Sequence, residues 1–188
     1  MAKVIFSSLQ QHTSATVDSV HDVATIDGMR VVTVYTDGSC KKPQDVGGWA
    51  FSAFNQNNEL LIEQSGRIDV CTNNICEIQA MISAIKWVKD NQNTKKVQVH
   101  LYADSQYAIK GATQWIPGWK RRGWKTSMNE TVKNQTLWEE MDALLKDVDV
   151  KFFWTKGHAK DEKNNRVDEL AGATWAKPSS RNRKTACL

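Results

Sequence analysis

The strongest constraint on the fold is a change of hydrophobic period near residue 73. Before it, three consecutive runs read as strands: 30–36, carrying Val31, Val32, Val34 and Tyr35, then 48–55 and 59–67 around a polar Gln56-Asn57-Asn58 turn. After it, helical and β-type periods alternate. A helix is predicted from Asn73 or Asn74 to residue 89, because Ile75, Ile78, Ile82 and Ile85 share one face behind an Asn73 N-cap. Val97, Val99, Leu101 and Ala103 alternate with polar neighbours as a half-buried strand. Residues 105–113 read as a short helix stopped before Pro117, and 136–146 as another helix. A fifth strand at 148–154 and a last helix at 164–176, ended by Pro178, complete the pattern. An antiparallel meander followed by α/β crossovers implies an α/β fold with one mixed sheet and helices on its faces.

This pattern occupies residues 30–176, one domain of ordinary size. Residues 1–29, rich in Ser, Thr, Gln and Asp, show neither period and read as an N-terminal extension whose order the pattern does not define. Residues 177–188 form a basic tail. Its Lys177, Arg181, Arg183 and Lys184 equal the whole formal net charge of +4. Within the near-neutral body, Lys120, Arg121, Arg122, Lys125 and Lys133 lie close together with only Glu130 opposing, a local patch of the kind that meets polyanions. No run approaches the ~18 apolar residues of a membrane span, so no membrane partner is expected. The first twenty residues carry a single early charge, Lys3, and no continuous apolar region, so no secretory leader is expected. The cysteines, Cys40, Cys71, Cys76 and Cys187, form no C-x-x-C pair and no zinc-type spacing. Cys71 and Cys76 are near enough in sequence to bridge if geometry allows, but reduced thiols and a cytoplasmic address are the expectation.

Four acids occupy comparable structural places. Asp37 is expected to end the first strand, with Asp37-Gly38-Ser39 as its turn, and Asp104 to end the fourth. Glu77 lies about one turn into the helix after the hairpin, and Asp168 one turn into the last helix, beside Val167, Leu170 and Ala171. Taken singly, each has an ordinary reading: a strand-ending turn, a solvated helix residue, an N-cap, a first-turn acid favoured by the helix dipole. Together, on one sheet edge, four carboxylates repel one another unless a cation neutralises them, and hard oxygen ligands suit Mg²⁺ or Mn²⁺.

The segments YTDGSC (35–40), GGWAF (47–51), TNNICE (72–77), ADSQY (103–107), TQWIPGWKRRGWKT (113–126), VKN (132–134), WTKGHA (154–159) and NRVDELA (165–171) come in one order at compatible separations. In these segments the chain resembles the bacterial-type ribonuclease HI family. The resemblance implies a ribonuclease H-like five-stranded mixed sheet flanked by helices. It also implies an endonuclease that hydrolyses the RNA strand of RNA–DNA hybrids to 5′-phosphate and 3′-hydroxyl ends, acting as a monomer. Asp37, Glu77, Asp104 and Asp168 would be its catalytic acids, holding two Mg²⁺ ions for which Mn²⁺ can substitute. His158, in a Gly-, Lys- and Asn-rich loop, would assist turnover through proton handling or by helping a metal and product leave.

The resemblance also assigns the hybrid-binding positions. Trp115, Trp119 and Trp124, interleaved with Lys120, Arg121, Arg122 and Lys125, would form a basic protrusion holding the DNA strand. Thr72 and Asn134 would help bind a DNA phosphate; Asn73, Asn74 and Gln106 would contact the minor groove near the RNA strand; Cys40 joins the substrate-binding set. The plainer reading of the tryptophans is a helix burying them in the core. One departure from the family pattern is the loop Lys41-Lys42-Pro43-Gln44-Asp45-Val46, where Pro43 stands in place of a substrate-contacting asparagine and Lys41 and Lys42 are candidates to replace that contact. Two rival readings remain: another nuclease of the same metal-carboxylate superfamily, and a catalytically inactive hybrid-binding module. The tryptophan-rich basic element and the Gly-His-Ala loop favour ribonuclease H over the first; the full set of acids disfavours the second.

Overall fold

Five strands pair in the order β3-β2-β1-β4-β5 in a computed structural model that describes residues 28–42, 45–157 and 161–174. β1 (Arg30–Lys41), β2 (Val46–Phe54) and β3 (Leu60–Ile68) are the antiparallel meander, and β4 (Val97–Ala103) and β5 (Asp149–Trp154) add in parallel on the other side of β1. The parallel pairs need crossovers, supplied by α1 (Asn73–Asn91) between β3 and β4 and by the helices between β4 and β5. The expected mixed α/β sheet is what forms.

Period two on β1 decides which face each residue meets. Val32 and Val34 enter the main core under α1, with Ile78, Met81, Ile82 and Ile85 of that helix fully buried against Phe51, Val99 and Leu101. Tyr35 points to the opposite face, where α5 (Glu162–Thr174) closes a smaller cluster of Ala50, Val167 and Ala171. On that face Tyr35, Tyr102 and Phe153 stack across β1, β4 and β5 with ring centroids 5.0 and 4.9 Å apart. α5 is tied down by the Arg166–Glu63 ion pair (3.0 Å) and by the Lys163 ammonium over the Phe54 ring at 4.0 Å.

Three local expectations are corrected. β1 does not end before Asp37; pairing with β2 carries it through Asp37↔Ala50 to Lys41↔Val46, overriding the turn propensity of Asp-Gly-Ser. The α1 N-cap is Thr72, whose hydroxyl accepts from the Ile75 N–H, not Asn73, which is already helical. Pro117 stops nothing. α2 (Gln106–Lys110) runs through a π-turn (Gly111–Trp115) into α3 (Ile116–Arg121), with Pro117 in α3's first turn, where a missing N–H costs little. α4 (Gln135–Leu144) packs Trp138 and Met141 into the core.

Candidate active site

β1 is hydrogen-bonded on both sides only as far as Tyr35. Parallel pairing with β4 ends at Tyr35↔Tyr102 and β4 itself ends at Ala103, while antiparallel pairing with β2 continues. The β4 side of β1 therefore opens from Thr36 onward, with Asp37 on one flank and Asp104 on the other. Glu77 arrives from above. It lies on the buried face of α1, whose first turns rest directly on β1 because Gly38 has no side chain; a Cβ there would collide with the Cys76 and Glu77 backbone. One carboxylate oxygen each from Asp37, Glu77 and Asp104 lie within 4.8 Å of one another. Asp168, on α5 below, hydrogen-bonds the Asp37 side chain and adds its charge to the field at Glu77. Gly48 permits that approach, since a Cβ would strike Thr174 and the Ala171 carbonyl of α5.

The electrostatics follow from this crowding. Asp37 and Glu77 are each only 6% exposed. Burial, then the charges of Asp104 and Asp168, push the Asp37 carboxyl up to about 8, against a hydrogen bond from the Gly38 N–H. Burial and the charges of Asp37, Asp104 and Asp168 hold Glu77 well above the usual carboxylate range. Glu77 Oε2 is buried without a hydrogen-bond donor. An orphaned acceptor among like-charged carboxylates is what a bound cation would satisfy, so the residues fit a metal ion.

Two flanking features had no sequence signal. The Trp154 indole N–H donates to the Asp104 carbonyl (3.0 Å), joining the ends of β5 and β4. Gly157 lies so close to the Asp104 carboxylate that a Cβ there would strike Oδ2. His158 itself, like Pro43, residues 1–27 and the tail 177–188, lies outside the described residues.

The remaining predicted positions fall into two groups. Thr72, Asn73 and Asn74 are exposed at the start of α1, where free N–H groups and the helix dipole favour an anion. The Asn73 Oδ1 accepts from the Cys40 N–H (3.0 Å), tying the end of β1 to that rim. Gln106 is exposed just past Asp104, beside a depression of ≈ 160 Å³ that it lines with Ile109, Lys110 and Trp154. Asn134 adopts a left-handed φ of 59° at the start of α4 and makes no side-chain cap bond, which leaves its amide available.

Trp115, Trp119 and Trp124 pack against the protein while each stays partly exposed. Trp115, Trp119 and Trp138 stand in a chain of ring contacts at 5.6 Å each, and Trp124, held at φ 61°, packs against the core. Above them Lys120, Arg121 and Arg122 are exposed, Lys120 pairing with Asp142 (2.8 Å), while Lys125 is half-buried and its carbonyl accepts from Arg122 Nε (3.1 Å).

Residues 29–175 match the RNase H family model. The chain belongs to the ribonuclease H family. Among curated relatives, a ribonuclease H of Bradyrhizobium sp. (strain ORS 278) is 44% identical over 142 residues, covering 75% of this chain and 87% of that protein. Solved structures agree on the fold. The crystal structure of LC9-RNase H1, a type 1 RNase H with the type 2 active-site motif, superposes with a TM-score of 0.69 at 24% identity, covering 79% of this chain and 73% of that one. LC11-RNase H1, crystallised in complex with an RNA/DNA hybrid, gives 0.59 at 20% identity, covering 77% and 96%. As a member of this family the chain is an enzyme, a nuclease.

Proposed function

We propose that the enzyme cuts the RNA strand of RNA–DNA hybrids at the Asp37-Glu77-Asp104-Asp168 cluster, leaving 5′-phosphate and 3′-hydroxyl ends. The observation that carries this reading is the convergence of Asp37, Glu77 and Asp104 within 4.8 Å, with Asp168 bonded to Asp37. These four side chains would hold two divalent cations, Mg²⁺ or in its place Mn²⁺. When bound, such a pair activates the attacking water and offsets charge on the leaving oxygen. The chain's own contribution is placement: β1 and α1 fix Asp37 and Glu77 in a site of low exposure, so their oxygens already stand where a cation would take them before substrate arrives. His158 would take or deliver a proton during turnover.

Recognition would rest on shape. Thr72 and Asn134 meet a DNA phosphate, Asn73, Asn74 and Gln106 the minor groove, with Cys40 supporting Asn73, and Lys120, Arg121, Arg122 and Lys125, with Trp115, Trp119 and Trp124 beside them, grip the deoxy strand. Selectivity then comes from a row of 2′-hydroxyls on one strand and a deformable deoxy strand on the other, rather than from base edges. We assign this activity to residues 30–176. The site is complete within one chain, which supports a monomer. Free thiols at Cys40, Cys71 and Cys76 support a reducing compartment, the cytoplasm.

The test is cleavage of end-labelled hybrid, duplex RNA and duplex DNA with Mg²⁺ and with excess EDTA. Only the RNA strand of the hybrid should be cut, and only with metal. Cleavage undiminished in EDTA would overturn the metal assignment, and a comparable rate on duplex DNA would favour a nuclease of different selectivity.

A further inference from the structure

Beside the acid cluster, and unused by it, lies a row of three thiols. Cys40 near the end of β1, Cys71 just before the α1 N-cap and Cys76 in α1 come from separate pieces of chain. Cys71 Sγ is 3.2 Å from Cys40 Sγ and hydrogen-bonded on its other side to Cys76. The space they share exists because Gly47, the register partner of Cys40, has no side chain; a Cβ there would strike both Cys71 and Cys76 sulfurs. The row is not a soft-metal cage. Among the described residues only the acid trio brings three ligand atoms within 4.8 Å of one another.

We propose that Cys40 and Cys71 are an oxidisable pair whose disulfide remodels the hybrid-binding rim. The sulfurs need to close from 3.2 Å to about 2.05 Å, a movement of about 1 Å. Both ends of that movement are rim: the Cys40 N–H donates to Asn73 Oδ1, and Cys71 directly precedes Thr72. Half-buried Cys40 is the entry point and buried Cys71 the resolving thiol.

The oxidant is a small disulfide such as oxidised glutathione. Cys40 sulfur attacks its S–S bond and releases one small thiol; Cys71 sulfur then attacks the mixed disulfide and releases the second. The two protein sulfurs lose one electron each, and the two protons leaving them end on the two released thiols. Burial pushes both cysteines up to about 11, so at neutral pH the exchange is slow and the reduced state persists through brief exposure.

The consequence for hybrid binding rests on the proposed function, so bridge, affinity and cleavage are read separately. The full chain carrying Cys187→Ser, which prevents cross-linking through the tail, is incubated with oxidised glutathione. It is mapped by mass spectrometry and titrated with fluorescent hybrid in EDTA, where binding is seen without turnover. A Cys40–Cys71 linked peptide is expected, with hybrid Kd raised roughly 3- to 10-fold, reversal by dithiothreitol, and loss of the whole response in Cys71→Ala. Failure to bridge after prolonged oxidation, a Cys71–Cys76 bridge instead, or a bridged protein with unchanged Kd would each overturn the proposal. If the reduced enzyme binds hybrid but does not cleave it, the hydrolase reading fails while bridge and Kd still decide the pair.

Discussion

Replacing Asp37 by Asn tests the electrostatic account of the site at one of its two buried acids. In the metal-free protein Asp37 is pushed from its ordinary 3.8 up to about 8. A carboxyl raised in this way binds a proton in the folded chain that the unfolded chain has lost. Its contribution to stability is complete below about pH 4 and disappears as pH rises towards 8. At about 1.4 kcal/mol per tenfold change in proton affinity, the ceiling is about 6 kcal/mol. Water entering the open β4 side of β1 and relaxation of Asp104 and Asp168 reduce this to on the order of 2–3 kcal/mol. For a chain of this size that corresponds to roughly 5–10 °C in Tm. Asn keeps the shape and removes the charge. In EDTA at pH 8.5 Asp37→Asn should therefore melt roughly 5–10 °C above wild type, and the gap should narrow as pH falls and close near pH 4, where Asp37 is protonated in the folded chain and increasingly so in the unfolded one. Adding Mg²⁺ should raise wild type and leave the variant nearly unmoved, because only wild type keeps the full ligand set. Scanning calorimetry at the two pH values, with and without metal, reads all four quantities. Melting curves of wild type and variant that fall in parallel from pH 5 to 8.5 would refute the reasoning.

Gly48→Ala should destabilise by about 1–3 kcal/mol and lower kcat, because the added methyl displaces α5 and with it Asp168. Gly172→Ala, on the same helix with open space around it, should be neutral or stabilising by about 0.5–1 kcal/mol; denaturant melts of both variants decide whether close packing is the cause. Replacing Lys120, Arg121, Arg122 and Lys125 together by Gln should raise KM for the hybrid and flatten its dependence on salt while changing kcat far less, since phosphate contacts release counterions and bind ground and transition states alike. Hybrid binding measured across salt concentrations checks this, and an unchanged slope would remove the segment from the binding surface. Glu77→Gln should cut kcat by about 10²-fold or more while retaining the fold, read by circular dichroism beside single-turnover cleavage; a smaller loss with intact fold would take Glu77 out of the machinery.

The sheet, its mixed topology and four helical regions were legible because they rest on period, and period survives into packing wherever one face is buried. The four acids were legible by their place in a series of motifs, and three of them meet as expected. What was hidden depends on partners distant in sequence. Asp-Gly-Ser reads locally as a turn, and only β2, nine or more residues on, holds Asp37 within a strand. Asn73 and Thr72 are both good caps; the choice falls to Thr72 because the Asn73 side chain is engaged by the Cys40 N–H from another strand. Pro117 reads as a stop, yet the π-turn before it shifts the ladder to five-residue bonds, with Ile116 N–H reaching the Gly111 carbonyl. The tryptophans between basic residues have two local readings. Trp138, from α4, offers Trp119 and Tyr107 a buried ring to pack on, a partner that no local pattern announces.

The four acids are held from two sides of the sheet, and that division bears on how such a charged cluster is tolerated. Asp37 sits on β1, Asp104 just past the end of β4 and Glu77 on α1, and the neighbours Val34, Leu101, Ala103, Cys76 and Ile78 are all fully buried. Repulsion among these three works against the main core and cannot separate them without opening it. Asp168 is carried by α5, whose own buried cluster is small and whose further ties include Thr174 packed at Gly48, the Arg166–Glu63 ion pair and Lys163 against Phe54 and Asn58. Exposed ion pairs of this kind are worth little individually. The charge of Asp168 acts on both Asp37 and Glu77, so without a cation it opposes their ionisation. Rising pH therefore strains the junction between α5 and β1, while the main core holds the spacing of the Asp37-Glu77-Asp104 trio. A cation reverses the sign of that force, drawing Asp168 in against a frame already set. The trio thus defines where a metal can sit, and the fourth acid, carried by α5 on the opposite face of the sheet, completes the site from a separate packing layer.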